Sequence, residues 1–336
     1  MGKVIEAKDH RCKNRMELHK AIPLEAPLVV YIEPTNLCNF KCAFCPTSDS
    51  ELLQKVGRPS GFMDMGLFYS IIDQLAGLGK KINLVNLYKD GEPLVHKNFV
   101  KMVEYVKKSG ITDKIWTKTN GALLNPQLNQ QLIDAGLTWI GISIEATSSE
   151  GYRKIADVDI DYDSLMSNIK DLHERSNDCE IYVKIADSGL PEDEIEKFYH
   201  DFKPICDSCA VEKLMGWSYS NIKDFTLGTN PDTYDGLDFS YKEVCPYPFY
   251  VMAINFNGTV SLCGNDWSHN TVVGDLNNES LVDIWNGKRL YNFRKMLLEL
   301  RRKENKACGD CYYLKIAPDN IDDYREIILQ KLKERF

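Results

Sequence analysis

No stretch of this chain approaches 18 consecutive apolar residues, and its first twenty residues are polar throughout. That removes a membrane-spanning helix and a secretory signal peptide from consideration. Cationic excess is missing too. Against 41 Lys and Arg stand 49 Asp and Glu, a net charge of −8, so the overall electrostatic footprint of a nucleic-acid binder is absent. There is no internal repeat, no low-complexity tract, no Gly-x-Ser-x-Gly element and no P-loop. Histidine is scarce, and the 6 present form no metal-ligand spacing. What remains is an ordinary soluble composition, 43% hydrophobic and 27% charged over 336 residues, long enough to fold without disulfide staples. The expectation is a cytoplasmic protein that contacts neither membrane nor nucleic acid.

One residue is over-supplied. The chain has 11 cysteines. In a reducing compartment, clustered cysteines read as ligands of a metal or a cluster rather than as disulfides.

Hydrophobic patterning places them. Residues 1–27 are mixed in charge and without clear period, an extension packed on the main body. From Leu28 short apolar runs alternate with amphipathic ones. Strands are expected at Leu28–Glu33, Ile82–Leu87, Lys114–Lys118, Thr138–Ile144, Glu180–Ala186 and near Ala210–Met215. Helices are expected at Met65–Leu78, Asn98–Lys108, Gln127–Ala135, Tyr162–Arg175 and Glu192–Phe202. Six strands alternating with helices imply an α/β fold with a parallel sheet and right-handed crossovers, its chemistry in the loops at the carboxyl ends of the strands. After Gly216 the pattern changes. Residues 217–243, rich in Asn, Asp, Gly, Ser and Tyr, read as a linker. Then Tyr250–Asn255 and Thr259–Cys263 flank Asn257-Gly258, a strong hairpin signal, and helices are expected at Leu281–Leu298 and Ile321–Arg335. The organisation is thus an extension (1–27), a main domain (28–216), a linker (217–243) and a small second domain (244–336).

Two cysteine sets stand out. Directly after the first strand, TNLCNFKCAFCP carries Cys38-x3-Cys42-x2-Cys45. In a loop at the active end of an α/β barrel, three thiolates can converge on one metal centre, and three ligands to a four-iron cluster leave one iron open. A zinc site, which prefers four ligands, and buried free thiols are the alternatives. In the late segment, Cys245 and Cys263, with Gly258 between them, are followed by Cys308-x2-Cys311. Two pairs of thiolates can hold either an iron–sulfur cluster or a structural zinc.

The early spacing and its place resemble the radical S-adenosylmethionine (radical SAM) superfamily, implying a partial (β/α)6 TIM-type barrel. Further stretches agree. Phe44 matches the aromatic residue near the cofactor's adenine. Lys89-Asp90-Gly91-Glu92-Pro93 resembles the GGEP loop that meets the methionine amino group through its backbone and Glu92, although Asp90 stands where that motif has glycine. Thr119-Asn120-Gly121 resembles the family's TNG turn, which gives Asn120 a cofactor-side position. Ser143 and Glu145 match positions that touch the cofactor's ribose or carboxylate, and Lys184 is placed to pair with that carboxylate. The late segment resembles the SPASM/Twitch modules. Because no cysteine follows Cys311, the shorter Twitch form is expected, a β-hairpin with helices around one auxiliary [4Fe-4S] cluster.

The resemblance implies two [4Fe-4S] clusters, S-adenosylmethionine, a flavodoxin- or ferredoxin-type electron donor and a 5′-deoxyadenosyl radical that takes hydrogen from substrate. With four protein ligands the auxiliary cluster has no open iron and is expected to accept an electron. Dehydrogenation of a carbohydrate or cyclitol is therefore favoured. An epimerase would need a well-placed thiol, for which Cys179, Cys206 and Cys209 are the candidates, although Cys206-x2-Cys209 also reads as packing. A peptide-modifying maturase is expected to carry a leader-binding domain, and residues 1–27 are too short for one. A non-catalytic zinc or iron–sulfur scaffold is the alternative of another class. Cys12 reads as a packing residue.

Overall fold

The computed structural model describes residues 2–5, 15–219, 222–229, 233–234, 237–238 and 241–335; Cys12 lies outside them. Seven strands build the main body: β1 (Lys3–Val4), β2 (Val29–Ile32), β3 (Leu84–Asn86), β4 (Ile115–Thr119), β5 (Trp139–Ile144), β6 (Glu180–Asp187) and β7 (Ser208–Lys213). β2 to β7 lie side by side in sequence order and pair in parallel, as alternation with helices requires. β1 adds a parallel edge beside β7, so the N-terminal segment joins the sheet. In β5 (WIGISI) all positions but Ser143 are buried, the pattern of a strand covered on both faces.

The crossover helices follow from their capping and their apolar stripes. α1 (Met65–Gly77) starts where the Asp64 carboxylate accepts the amides of Gly66 and Leu67, and it buries Phe68, Ile71, Ile72 and Leu75. Each of those side chains contributes about 1.5–3 kcal/mol by leaving water. α2 (Phe99–Ser109) buries Phe99, Met102, Val103 and Val106 and stops at Gly110, whose φ of 66° suits a residue without a Cβ. Pro126 opens α3 (Pro126–Asp134) behind the cap of Asn125. α4 (Ser149–Ala156), unmarked by the sequence reading, is capped by Ser148. α5 (Tyr162–Arg175) and α6 (Glu192–Phe202) complete the outer layer.

The late hairpin forms at Asn257-Gly258, from β8 (Val251–Ile254) and β9 (Thr259–Ser261), and β10 (Gly274–Asp275) pairs with β9. It does not form a separate layer. β8 lies parallel to β2, with Val251 opposite Val29 and Ile254 opposite Ile32, so the barrel sheet continues through the hairpin into ten strands. The single helix expected over Leu281–Leu298 is two, α7 (Leu281–Trp285) and α8 (Lys288–Leu298). The break falls at Gly287, where a Cβ would stand 2.5 Å from the Asp283 carbonyl oxygen. The last helix, α9 (Arg325–Arg335), follows a 3-10 turn at Asp322–Tyr324. The stretch read as a linker is packed where it is described. Trp217 donates its indole N–H to the Phe44 carbonyl (2.9 Å), and Trp267 does the same to Ser218 (2.7 Å). No helix among the described residues is long and apolar enough to cross a membrane.

Candidate active site

The early cysteine loop leaves β2 and is pinned by backbone on two sides. The amides of Lys41 and Ala43 donate to the carbonyls at the end of α4, Ala156 (2.9 Å) and Ile155 (2.8 Å). The amide of Glu92 donates to Leu37 (2.9 Å), joining this loop to the one after β3. There only glycine fits at 91, since a Cβ would lie 2.4 Å from the Leu37 carbonyl oxygen. The three thiols lie within electrostatic reach of one another: Cys45 raises the pKa of Cys38, and Cys38 and Cys45 raise that of Cys42. Burial pushes Cys38 up to about 12 and raises Cys42 and Cys45 as well. As thiolates they need a cationic partner, which iron supplies.

Glu92 and Asn120 stand against this loop. Glu92 is 2% exposed. Its carboxylate accepts the amides of Leu94 (2.9 Å) and Asn120 (2.7 Å) and the Thr119 hydroxyl (2.8 Å). Burial outweighs these bonds and moves its pKa up to about 7. The Asn120 side-chain amide donates to the Asn39 side chain (2.8 Å) and reaches the Cys38 sulfur at 3.9 Å. Glu145 lies beside Cys42, half-buried, its pKa raised to about 7 by desolvation, with Lys184 and the Cys42 thiol pulling the other way. Lys184 is paired with Glu212 (2.6 Å), and the Tyr182 hydroxyl donates to the other Glu212 oxygen (2.9 Å).

A cavity of about 440 Å³ runs along the inner face of the sheet, from Val29, Leu84 and Trp139 at the first residues of their strands to Ala186 and Lys213 at the carboxyl ends. Among the expected site residues, Phe44, Gly91, Ser143, Lys184 and Cys263 line it. Glu92, Asn120 and Glu145 stand behind that wall, against the cysteine loop. The sequence reading missed Trp116 and Lys118 on β4, Trp139 on β5, Tyr182 on β6 and Glu212 on β7, all on the wall. Their signal was present: Trp116/Lys118, Trp139/Ser143 and Tyr182/Lys184 recur at even spacing, the inward face of each strand. Trp116 stacks on Trp139 (centroids 4.8 Å) and Trp139 on Tyr182 (5.7 Å).

The late cysteines come together from four places: Cys245 before β8, Cys263 after β9, Cys308 in a short helix and Cys311 beyond it. Asn305 caps that helix through the amides of Ala307 and Cys308, and its own amide donates to Asn270 (2.9 Å) in the loop after Cys263. Burial raises all four thiols, Cys245 to about 12, and the neighbouring thiols push Cys263 and Cys308 further. A tetrahedral zinc with bonds of about 2.3 Å brings its sulfurs within about 3.8 Å of each other. Among the described residues no three cysteine sulfurs lie within 4.8 Å of one another. Cys179 precedes β6, and Cys206 and Cys209 lie at the amino end of β7, all buried.

The chain matches the Radical SAM superfamily over residues 32–202 and the SPASM iron–sulfur cluster-binding domain over 245–312. The S-adenosyl-L-methionine-dependent 2-deoxy-scyllo-inosamine dehydrogenase of Niallia circulans is 22% identical over 302 residues, 88% of this chain and 97% of that one. The GTP 3′,8-cyclase of Staphylococcus carnosus is 27% identical over 214 residues, 60% of each chain. Among solved structures, BtrN in complex with AdoMet and 2-DOIA aligns with a TM-score of 0.56 at 18% identity, over 88% of this chain and 97% of that one. Streptococcus suis SuiB bound to S-adenosylmethionine aligns with a TM-score of 0.61 at 17% identity, over 89% and 74%. The two structural likenesses concern the fold.

Proposed function

We propose that this chain, which belongs to the radical SAM superfamily, is an oxidoreductase that dehydrogenates a carbohydrate or cyclitol. Its cofactors are S-adenosylmethionine with a [4Fe-4S] cluster and auxiliary iron–sulfur in the SPASM segment; when bound, they supply a carbon-centred radical that takes a hydrogen atom and an acceptor for one electron. Cys38, Cys42 and Cys45 would hold the first cluster, leaving one iron position for S-adenosylmethionine. Gly91 and Glu92 would receive the ammonium of that cofactor, Lys184 its carboxylate, Ser143 its ribose and Phe44 its adenine; Asn120 and Glu145 would order the loop around it. Cys245, Cys263, Cys308 and Cys311 would hold one auxiliary cluster. A flavodoxin- or ferredoxin-type protein would supply the electron.

The observation that carries this reading is that one cavity is lined both by Phe44 and Gly91 of the cofactor loops and by Cys263 of the late set. A substrate there touches both redox sites. The wall suits a sugar-like ring: the stack of Trp116, Trp139 and Tyr182 gives it an aromatic side, and Lys118 and Glu212 give it a polar one. Oxidation of a secondary alcohol removes one hydrogen atom from carbon, one proton from oxygen and one electron, and these two sites divide that work. The likeness to a cyclitol dehydrogenase over nearly its whole length supports the same substrate class. The epimerase reading loses support because Cys179, Cys206 and Cys209 are buried and none of them lines the cavity.

The test is stoichiometric. With a panel of amino-cyclitols and sugars in deuterated water, a dehydrogenase yields one 5′-deoxyadenosine per ketone and no deuterium in the product. One solvent-derived deuterium at an inverted carbon would replace this reading with epimerisation.

A further inference from the structure

The loop after β3 carries two charges that the proposed chemistry does not use. Lys89 and Asp90 are ion-paired, and both side chains are 0% exposed. Around them gather groups from three other places. Glu33, at the end of β2, has a carboxylate oxygen 3.8 Å from the Lys89 ammonium. Arg58, beyond the early cysteine loop, places its guanidinium 3.4 Å from Asp90 and 3.9 Å from Glu33. From the late segment, Asp266 accepts the Lys89 ammonium on its main-chain carbonyl (3.0 Å). His269 completes the group, its pKa lowered to about 4 by burial and by Lys89, so that its imidazole carries no charge.

Asp266 is the link to the late cysteines. Its carboxylate accepts the amides of Asn270 (3.1 Å) and Thr271 (2.8 Å) and the Thr271 hydroxyl (2.6 Å), closing the loop that follows Cys263. It also lies within electrostatic reach of Cys263, Cys308 and Cys311. The cluster therefore has one end on the cofactor loop and the other on the auxiliary site.

Its interior holds atoms that make no hydrogen bond: all three Arg58 nitrogens, one oxygen each of Glu33 and Asp90, and His269 Nε2. Ligand atoms of Glu33, Asp90 and His269 lie within 4.8 Å of one another, as a metal site would require. A divalent ion is disfavoured there, because Arg58 and Lys89 already neutralise the same carboxylates and would repel it. Water, which both donates and accepts, serves the guanidinium and the carboxylates alike.

We propose that Lys89 and Asp90 form a buried clasp that fixes the loop after Cys263 to the cofactor loop and sets the reduction potential of the auxiliary cluster. They are positioning residues, and the inference rests on the reading of Cys245, Cys263, Cys308 and Cys311 as ligands of that cluster. Asp90, standing where the resembled motif has glycine, is the residue that brings the cofactor loop's own charge pair into the group.

The experiment is a potentiometric titration followed by electron paramagnetic resonance on the anaerobically reconstituted full chain, with Lys89→Met, Lys89→Arg and Asp90→Asn. Losing a cation disfavours the reduced, more negative cluster, and losing an anion favours it. Lys89→Met should lower the auxiliary midpoint, Asp90→Asn should raise it and Lys89→Arg should stay near the parent; the first cluster, whose Cys45 Asp90 also reaches, should rise only in Asp90→Asn. Hydrogen exchange at the amides of Asn270 and Thr271 should quicken in Lys89→Met. Equal potentials across the set in a protein with its full iron content, or shifts of one sign, would overturn the clasp alone. One equivalent of a non-iron divalent metal, lost in Asp90→Asn, would overturn it in favour of a metal site. An iron count near four in the parent would remove the auxiliary cluster, and the clasp with it. If Lys89→Met does not fold, Asp90→Asn against Lys89→Arg still decides the sign.

Discussion

The two cysteine sites are built by different means. The early site is local: three cysteines on one loop after β2, held by backbone bonds to α4 and to the loop after β3. The late site is assembled: four cysteines on a hairpin end, a strand exit and a short capped helix, brought together by the β8–β9 hairpin and by the Asn305 amide that donates to Asn270. A local site keeps its spacing whatever surrounds it. An assembled site depends on every element that converges on it, including the charged group reaching across from the cofactor loop.

The largest expected effect breaks the comparison at its ligands. Replacing Cys38, Cys42 and Cys45 together by Ala should abolish reductive cleavage of S-adenosylmethionine. Replacing Cys245 by Ala should leave cleavage measurable while ketone formation is lost. Iron and sulfide analysis should fall from about eight to about four per chain in each case. Retained ketone formation in Cys245→Ala would show that the late site takes no part in the oxidation.

The same difference explains what was legible in the sequence. Cys38-x3-Cys42-x2-Cys45 and Gly91-Glu92-Pro93 could be read directly, because spacing along a loop is spacing in space. The six parallel strands were legible for a similar reason, since each is a short apolar run between amphipathic helices. The continuation of the sheet through β8 was not, because strand pairing between Val251 and Val29 leaves no mark in either segment. The break at Gly287 was masked by apolar residues on both sides that fit one helical period. The aromatic wall of the cavity was written in the even spacing of Trp116, Lys118, Tyr182 and Lys184, but alternation alone does not tell a barrel lumen from an ordinary buried face. The clasp was the least legible, as Glu33, Arg58, Lys89 and Asp266 look like solvated charges until the fold buries them.

A smaller effect sharpens the local side. Glu92 has its pKa moved from 4.5 to about 7 by burial. The folded chain therefore holds a proton there that the unfolded chain loses near pH 4.5. Stability from this group is full below about pH 4.5, falls as the pH rises and levels off above 7, a loss on the order of 3 kcal/mol. In Glu92→Gln, urea titrations of the cofactor-free protein should show this part of the slope flattened. Because an ammonium needs the anion, binding of S-adenosylmethionine should strengthen through pH 7 in the parent. In Glu92→Gln it should be weaker by about 1–3 kcal/mol at pH 8, without that rise. Equal calorimetric affinities at pH 8 would remove Glu92 from the binding site.

The smallest effect tests where the two sides meet. Trp217, in the stretch that reads as a linker, donates its indole N–H to the Phe44 carbonyl (2.9 Å), and both residues line the cavity. That bond ties the segment leading to the late cysteines onto the residue just before Cys45. Trp217→Phe keeps an aromatic ring and removes only the donor, leaving a partly buried carbonyl to find water. The expected cost is about 1 kcal/mol, a several-fold rise in the KM for S-adenosylmethionine, with iron content unchanged. Because neither cysteine set is touched, both clusters should keep their spectra and the ratio of 5′-deoxyadenosine to ketone should hold. A change in that ratio at constant KM would mean that Trp217 acts on the substrate side of the cavity instead of supporting Phe44.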